Sequence, residues 1–186
     1  MARMPGRGAA STCLVALSLL GGCSTPHEPT PSAAAPSFQV LVPLEGWSEV
    51  SRDADPFIED PSAAPACVGP GFRLEPTDNW LEIDTGLCNW VTLSGSALSA
   101  VSPGQQLELT VSHYNLDAPA PAEARLSLRF GACDVWSKVI PIPGPAAVYT
   151  EQFDSPCALE LGGSVLFHLN NHGQNTYQLQ ELSSLR

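Results

Sequence analysis

Leu107, Leu109 and Val111 alternate with Glu108, Thr110 and Ser112, and further on Leu126, Leu128 and Phe130 alternate with Arg125, Ser127 and Arg129. Successive side chains of a strand point to opposite faces, so this period of two predicts antiparallel strands with one face in a core and one in water. Similar short runs occur at Phe72–Glu75, Trp80–Asp84, Trp90–Leu93, Val135–Ile140, Ala147–Phe153, Val165–Leu169 and Thr176–Leu182. Turn formers separate them: Pro103 with Gly104, Pro119 with Pro121, Gly131, Pro143 to Pro145, Gly162 with Gly163, and Asn171 to Gly173. No stretch carries a sustained helical stripe. The reading is all-β, an antiparallel two-sheet β-sandwich of about nine or ten strands.

Ahead of this pattern, Arg3 and Arg7 precede an apolar core from Cys13 to Leu20 that is too short to span a bilayer, the layout of a secretory signal. It closes on Leu20, Gly21, Gly22 and Cys23, which resembles the lipobox of bacterial lipoproteins. The resemblance implies that residues 1–22 are removed and that Cys23 becomes an acylated first residue, bearing thioether-linked diacylglycerol and an N-acyl chain. Several chains at about 0.8 kcal/mol per buried methylene anchor stably where one would not. Ser24 stands where the family's inner-membrane retention signal is usually Asp, so the implied location is the outer membrane or cell surface, facing periplasm or exterior. The alternative is an ordinary signal cleaved near Ala33 to Ala35, with Cys23 inert. Residues 23–37 hold the Cys and a Pro-, Ala- and Ser-rich stretch that cannot bury a core and reads as a tether; residues 38–186 have the size of one domain, the β-sandwich.

Loss of the leader leaves six Lys and Arg against nineteen Asp and Glu, a net of −13, compared with −11 for the whole chain. So acidic a surface repels phosphate backbones and anionic lipid head groups, which argues against nucleic acid and leaves the bilayer to be reached through lipid. Cys67, Cys88, Cys133 and Cys157 remain, an even number in an exported domain, and predict two disulfides. Three pairings are open; Cys67 with Cys88 and Cys133 with Cys157 would each staple neighbouring strands. No pair has the spacing of a structural zinc site.

The run Gly163, Ser164, Val165, Leu166, Phe167, His168, Leu169, then Asn170 to Asn175, then Thr176, Tyr177, Gln178, Leu179 resembles the closing hairpin of galactose-binding-like jelly rolls, the fold of many carbohydrate-binding modules. That resemblance implies a jelly roll with ligands on the loops at one end or on a concave sheet face. It assigns no individual ligand residue.

Four groups of residues are candidates for a site. Trp80, Glu82 and Asp84 share one face of a strand, with steps of about 6.6 Å between successive side chains, and Asn89 and Trp90 could extend it. An aromatic ring covers the C–H face of a sugar while acids accept from its hydroxyls; the alternative is rim side chains and solvated acids. Asn171, His172, Gln174 and Asn175 in the polar turn suit hydroxyl recognition, and suit a hairpin turn equally well. His113, His168 and His172 could bind a transition metal, although His113 continues the apolar row of Leu107, Leu109 and Val111. Asp53, Asp55, Glu59 and Asp60 form an acidic loop that could hold calcium as a cofactor, although Pro56 interrupts it and the EF-hand order is absent.

Catalysis finds little support. There is no nucleophile elbow, phosphate loop or dinucleotide fingerprint, and Glu82 and Asp84 lie side by side on one strand rather than across a cleft. The sequence therefore points to a membrane-anchored ligand-binding module for carbohydrate or glycan-like material. A structural or assembly lipoprotein docking another envelope protein is the alternative, and a metal-dependent hydrolase using the three histidines a more distant one.

Overall fold

Every alternating run becomes a strand. The computed structural model describes residues 36–58 and 66–186. Among these are β1 (Phe38–Val40), β2 (Ser48–Glu49), β3 (Phe72–Glu75), β4 (Trp80–Asp84), β5 (Trp90–Ser96) and β6 (Gln106–His113). The remainder are β7 (Ala122–Phe130), β8 (Cys133–Ile142), β9 (Ala147–Asp154), β10 (Ser164–Asn170) and β11 (Thr176–Leu185). Eleven strands replace the expected nine or ten. The additions, β1 and β2, are three and two residues long, too short for any alternation to show. Cys23, the leader and most of the tether lie outside the described residues, as do Glu59 and Asp60.

One sheet runs β3-β4-β11-β6-β9, with β1 also paired to β11; the other runs β2-β5-β10-β7-β8. All the pairs are antiparallel, and they nest: β4 with β11, β5 with β10, β6 with β9, and β7 with β8. Such nesting is one long hairpin rolled so that successive strand pairs fall alternately in the two sheets, which is a jelly roll. Its tip is the two-residue turn between Phe130 and Cys133, where Gly131 takes φ +56°, a conformation that costs glycine little.

The facing rows of the two sheets interlock as Leu81, Ile83, Leu107, Leu109 and Val111 from one and Val91, Leu93, Leu126, Leu128, Val165, Phe167 and Leu169 from the other, all buried. Burying each such side chain contributes about 1.5–3 kcal/mol. Gly95 keeps β5 open to Val42 and Trp47: a Cβ there would lie 2.4 Å from the Val42 Cγ1 methyl. Both disulfides take the sequence-local pairing, Cys67–Cys88 and Cys133–Cys157.

β8 and β9, the sheet-edge strands on one side of the sandwich, are closed across the gap by polar groups. Trp136 Nε1 donates to Glu151 Oε2 at 2.7 Å, Lys138 pairs with the same carboxylate, and the Lys138 ammonium lies 4.2 Å from the centroid of the Tyr149 ring. Burial pushes the Glu151 carboxyl up, but hydrogen bonds from Lys138 and Trp136 outweigh it and hold the group below the ordinary glutamate range.

Candidate ligand-binding face

The face of the β3-β4-β11-β6-β9 sheet that points away from the core is polar. Leu81 and Ile83 of β4 enter the core, so Trp80, Glu82 and Asp84 face outward, as expected from the sequence. Across the register, Glu82 lies opposite Gln178 of β11, and Gln178 lies opposite Ser112 of β6. Gln180 Nε2 donates to Ser112 Oγ at 2.9 Å, and Ser112 Oγ donates to Gln178 Oε1 at 2.8 Å. Gln178 is 3% exposed, and its Nε2 has no acceptor among the described residues; the Trp80 Nε1 is likewise buried without one among them. Unmet donors of this kind are rare in folded proteins and mark places where solvent or a ligand completes the bonding.

A trough crosses this face, and strand pairing explains it. β11 pairs along one side with β4 as far as Leu179 and with β1 from Ser183 onward. Between them, at Gln180 and Glu181, neither partner strand continues. The register to β6 also shifts between Leu179 and Glu181, a bulge that adds one residue and sends both Gln180 and Glu181 toward the cleft. A cleft of about 380 Å³ results, lined by Asp78, Asn79, Trp80, Thr110, Gln180 and Glu181. A second of about 180 Å³ shares Asn79, Gln180 and Glu181 and is walled by Val40, Val42, Pro43, Leu44 and Glu45. Asn79 sits at φ +56°, which asparagine tolerates, and ends the β3–β4 turn so that Asp78 and Asn79 stand at the mouth.

Of the expected trio, only Trp80 lines the trough. Glu82 accepts from Arg73 Nη2 at 2.6 Å, and Asp84 Oδ1 accepts from the Gly86 backbone N–H at 2.8 Å. Both carboxylates line a separate groove of about 120 Å³ with Pro70, Phe72 and Leu87. Asp78, Asn79, Thr110, Gln180 and Glu181 were not singled out by the sequence reading. The signal for the last two is the spacing of Tyr177, Leu179 and Leu182: an odd step between inward residues requires a bulge.

Trp90 does not extend this surface, because it lies on the other sheet. Val91 and Leu93 of β5 face the core, so Trp90 and Thr92 point out of the opposite side of the sandwich. There the segment from Val50 to Ile58 covers them: Phe57 stacks on His168 with ring centroids 4.3 Å apart, Trp90 meets the same imidazole edge-on at 4.6 Å, and the Arg129 guanidinium sits 4.3 Å from the Phe57 centroid. Asp55 is 6% exposed and accepts from Trp90 Nε1 at 2.7 Å, Thr92 Oγ1 at 2.8 Å and the Phe57 N–H at 2.9 Å. Thr92 has one hydroxyl proton, given to Asp55, so its oxygen accepts from His168 Nδ1 at 2.7 Å, and His168 Nε2 faces the Asn170 amide at 3.2 Å. Asp55 of the acidic loop is thereby a structural acceptor, while Asp53 is exposed and Glu59 lies outside the described residues.

The polar turn spends its amides on itself. Asn171 Nδ2 donates to the Tyr177 hydroxyl at 3.0 Å, and its Oδ1 accepts from Gly173 N–H and His172 Nδ1. Asn175 Oδ1 accepts from the Asp117 N–H, and its Nδ2 donates to Asp117 and Gly173 carbonyls. His172 and Gln174 are exposed. Burial pushes the Tyr177 phenol well above its ordinary range, against the pull of the Asn171 hydrogen bond.

The three histidines are not gathered. His168 is committed to Thr92 and Asn170 on the β10 sheet, whereas His113 of β6 faces the Tyr114 carbonyl at 2.7 Å and the Tyr149 hydroxyl at 3.4 Å on the other, and His172 sits in the turn. Alternation placed His168 and His172 on one side only while the strand continued; it ends at Asn170. Among the described residues no three His, Cys, Asp or Glu side chains are grouped to hold a metal ion.

No protein-family model matches the chain, and no curated protein does. Several solved structures are similar in fold. One titled "CBM4 structure and function" is 8% identical, with 75% of this chain and 86% of that one covered and a TM-score of 0.45. The CBM22-1 xylan-binding domain from Paenibacillus barcinonensis Xyn10C is 15% identical, with 83% and 97% covered and a TM-score of 0.41. A variant of a carbohydrate binding module of family 29 is 12% identical, with 81% and 92% covered and a TM-score of 0.41. The jelly roll itself is established by the nested strand pairing.

Proposed function

We propose that the protein is a carbohydrate-binding module, that the trough around Trp80 is its binding site, and that acylated Cys23 holds it at the outer membrane or cell surface through the tether of residues 23–37. The observation that carries the reading is the composition of the trough: a half-buried indole set among Asp78, Asn79, Thr110, Gln180 and Glu181. The ring offers an apolar plane to the C–H face of a sugar, and the five polar side chains offer donors and acceptors to its hydroxyls. The mechanism is equilibrium binding, with no bond made or broken.

The test is calorimetric titration of the full chain against a panel of soluble oligosaccharides, repeated with Trp80→Ala. Loss of the stacking plane is worth roughly 1–3 kcal/mol, about a fivefold to 150-fold weakening, with far-ultraviolet circular dichroism unchanged. A panel without a binder, or a Trp80→Ala protein that binds as before, would sink the proposal. Mass spectrometry of the cellular protein tests the anchor: the expected N-terminal peptide begins at an acylated Cys23, and an unmodified thiol there refutes it.

A further inference from the structure

The charge of the trough has one sign. Glu45, Asp78 and Glu181 line its two compartments, all three are exposed, and no Lys or Arg is among the described lining residues. Elsewhere five acids are paired: Arg73 holds Glu75 and Glu82, Arg125 holds Glu123, Arg129 holds Asp134 and Lys138 holds Glu151. Four of the six Lys and Arg in residues 38–186 are thus placed outside the trough, Arg52 lines a different cleft, and Arg186 ends the strand ladder beyond β11. None of the three trough carboxylates is in an ion pair among the described residues. Like-signed groups lining a concave surface focus their field and raise the local concentration of counter-charge.

Apolar surfaces line the same compartments. Val40, Val42, Pro43 and Leu44 wall the smaller compartment, and the Trp80 ring stands in the larger, with Asn79, Gln180 and Glu181 common to both. A fitting ligand has an apolar face, hydroxyls for the amides and Thr110, and positive charge for the carboxylates. It is a chain rather than a single ring, because the two compartments share Asn79, Gln180 and Glu181 and a chain can reach both. We propose that the trough selects saccharide chains bearing free amines, such as N-deacetylated hexosamine units, over their N-acetylated counterparts, and rejects uronates. This rests on the carbohydrate-binding reading and adds to it the ligand class: each ammonium makes charge-assisted hydrogen bonds to a carboxylate that an acetamide cannot make.

The experiment titrates the full chain with a glucosamine hexamer, the N-acetylglucosamine hexamer and a galacturonate hexamer at about pH 5.5, where primary amines carry their proton, in low and high salt. The expected result is that the amine-bearing hexamer binds about tenfold or more tightly than the acetylated one in low salt and that the gap closes in high salt, as screening requires. In the Glu45→Gln/Asp78→Asn/Glu181→Gln triple variant the ratio falls to about one. An acetylated hexamer that binds as tightly as the amine, a galacturonate that binds comparably, or a triple variant that keeps the ratio overturns the proposal while leaving a carbohydrate-binding module standing. If other oligosaccharides bind and none of the three hexamers does, the proposal fails in the same way. If no oligosaccharide of any kind binds, the underlying reading fails with it.

Discussion

Asp55 and Trp90, 35 residues apart in sequence, meet as carboxylate and indole N–H at 2.7 Å beneath the segment that covers the outer face of β5 and β10. The same carboxylate holds the Thr92 hydroxyl, which in turn receives His168. This buried chain of partners fastens the Val50–Ile58 segment to the sandwich, with Phe57 as its apolar plug. Removing one acceptor orphans several donors at once, and an unsatisfied buried donor costs more than the bond it lost. Asp55→Ala is therefore expected to lower stability by about 2–4 kcal/mol, read as the urea midpoint, and to shift Trp90 emission toward that of exposed indole. A midpoint within error of the parent would show that the segment is not held this way.

The Asn175 side chain makes three hydrogen bonds, accepting from the Asp117 N–H and donating to the Asp117 and Gly173 carbonyls, while its backbone is bonded to Thr85. Asn175→Ala should cost about 2–3 kcal/mol and leave oligosaccharide affinity within about twofold, because the turn is remote from the Trp80 trough. A large loss of affinity with unchanged stability would return the turn to the binding site.

Glu151 titrates below the ordinary glutamate range in the folded protein, with burial opposing and the Lys138 and Trp136 hydrogen bonds prevailing. A depressed folded value means that the clasp between β8 and β9 contributes fully above the unfolded glutamate value and is lost as pH falls through the folded one. The stability gap between the parent and Glu151→Gln, measured by urea unfolding at pH 7 and again at pH 3, should shrink on acidification. A gap that is the same at both values would exclude this carboxylate as the acid-sensitive group.

Tyr177 is fully buried, and burial raises its phenol far above the ordinary value. A raised folded value stabilises below the unfolded value, near 10, and the contribution disappears as pH climbs through the folded one. Spectrophotometric titration at 295 nm should show the Tyr177 phenol ionising only with loss of structure. Three reversible ionisations in the folded protein would contradict the packing around Asn171 and Tyr177.

The strands were legible because a two-residue period survives wherever one face is buried, as at Leu107, Leu109 and Val111. Pairing was not legible: the run from Gly163 to Leu179 resembles a hairpin, yet its connection crosses between layers, so that β10 pairs with β5 and β7 in one sheet and β11 with β4 and β6 in the other. Trp80 was readable as outward-facing from Leu81 and Ile83. Its neighbours were not, because the trough arises where β11 passes from one partner strand to another, a relation between residues 40, 80 and 180. The same alternation made Trp90 look available, since nothing local announces that Phe57 returns to cover it. For Asn171 and Asn175, residue type alone cannot separate an amide that greets a ligand from one consumed by its own turn.

Ser37 and Arg186 exchange two backbone hydrogen bonds, at 3.1 and 3.0 Å, just outside the paired β1 and β11. A peptide of a few residues would join them, and the covalent ring could then be cut at the exposed Pro103–Gly104 turn to give a circular permutant with the same eleven strands. By the same geometry the sandwich can be spliced into a surface loop of a host protein, entering and leaving through one gap without stretching either backbone.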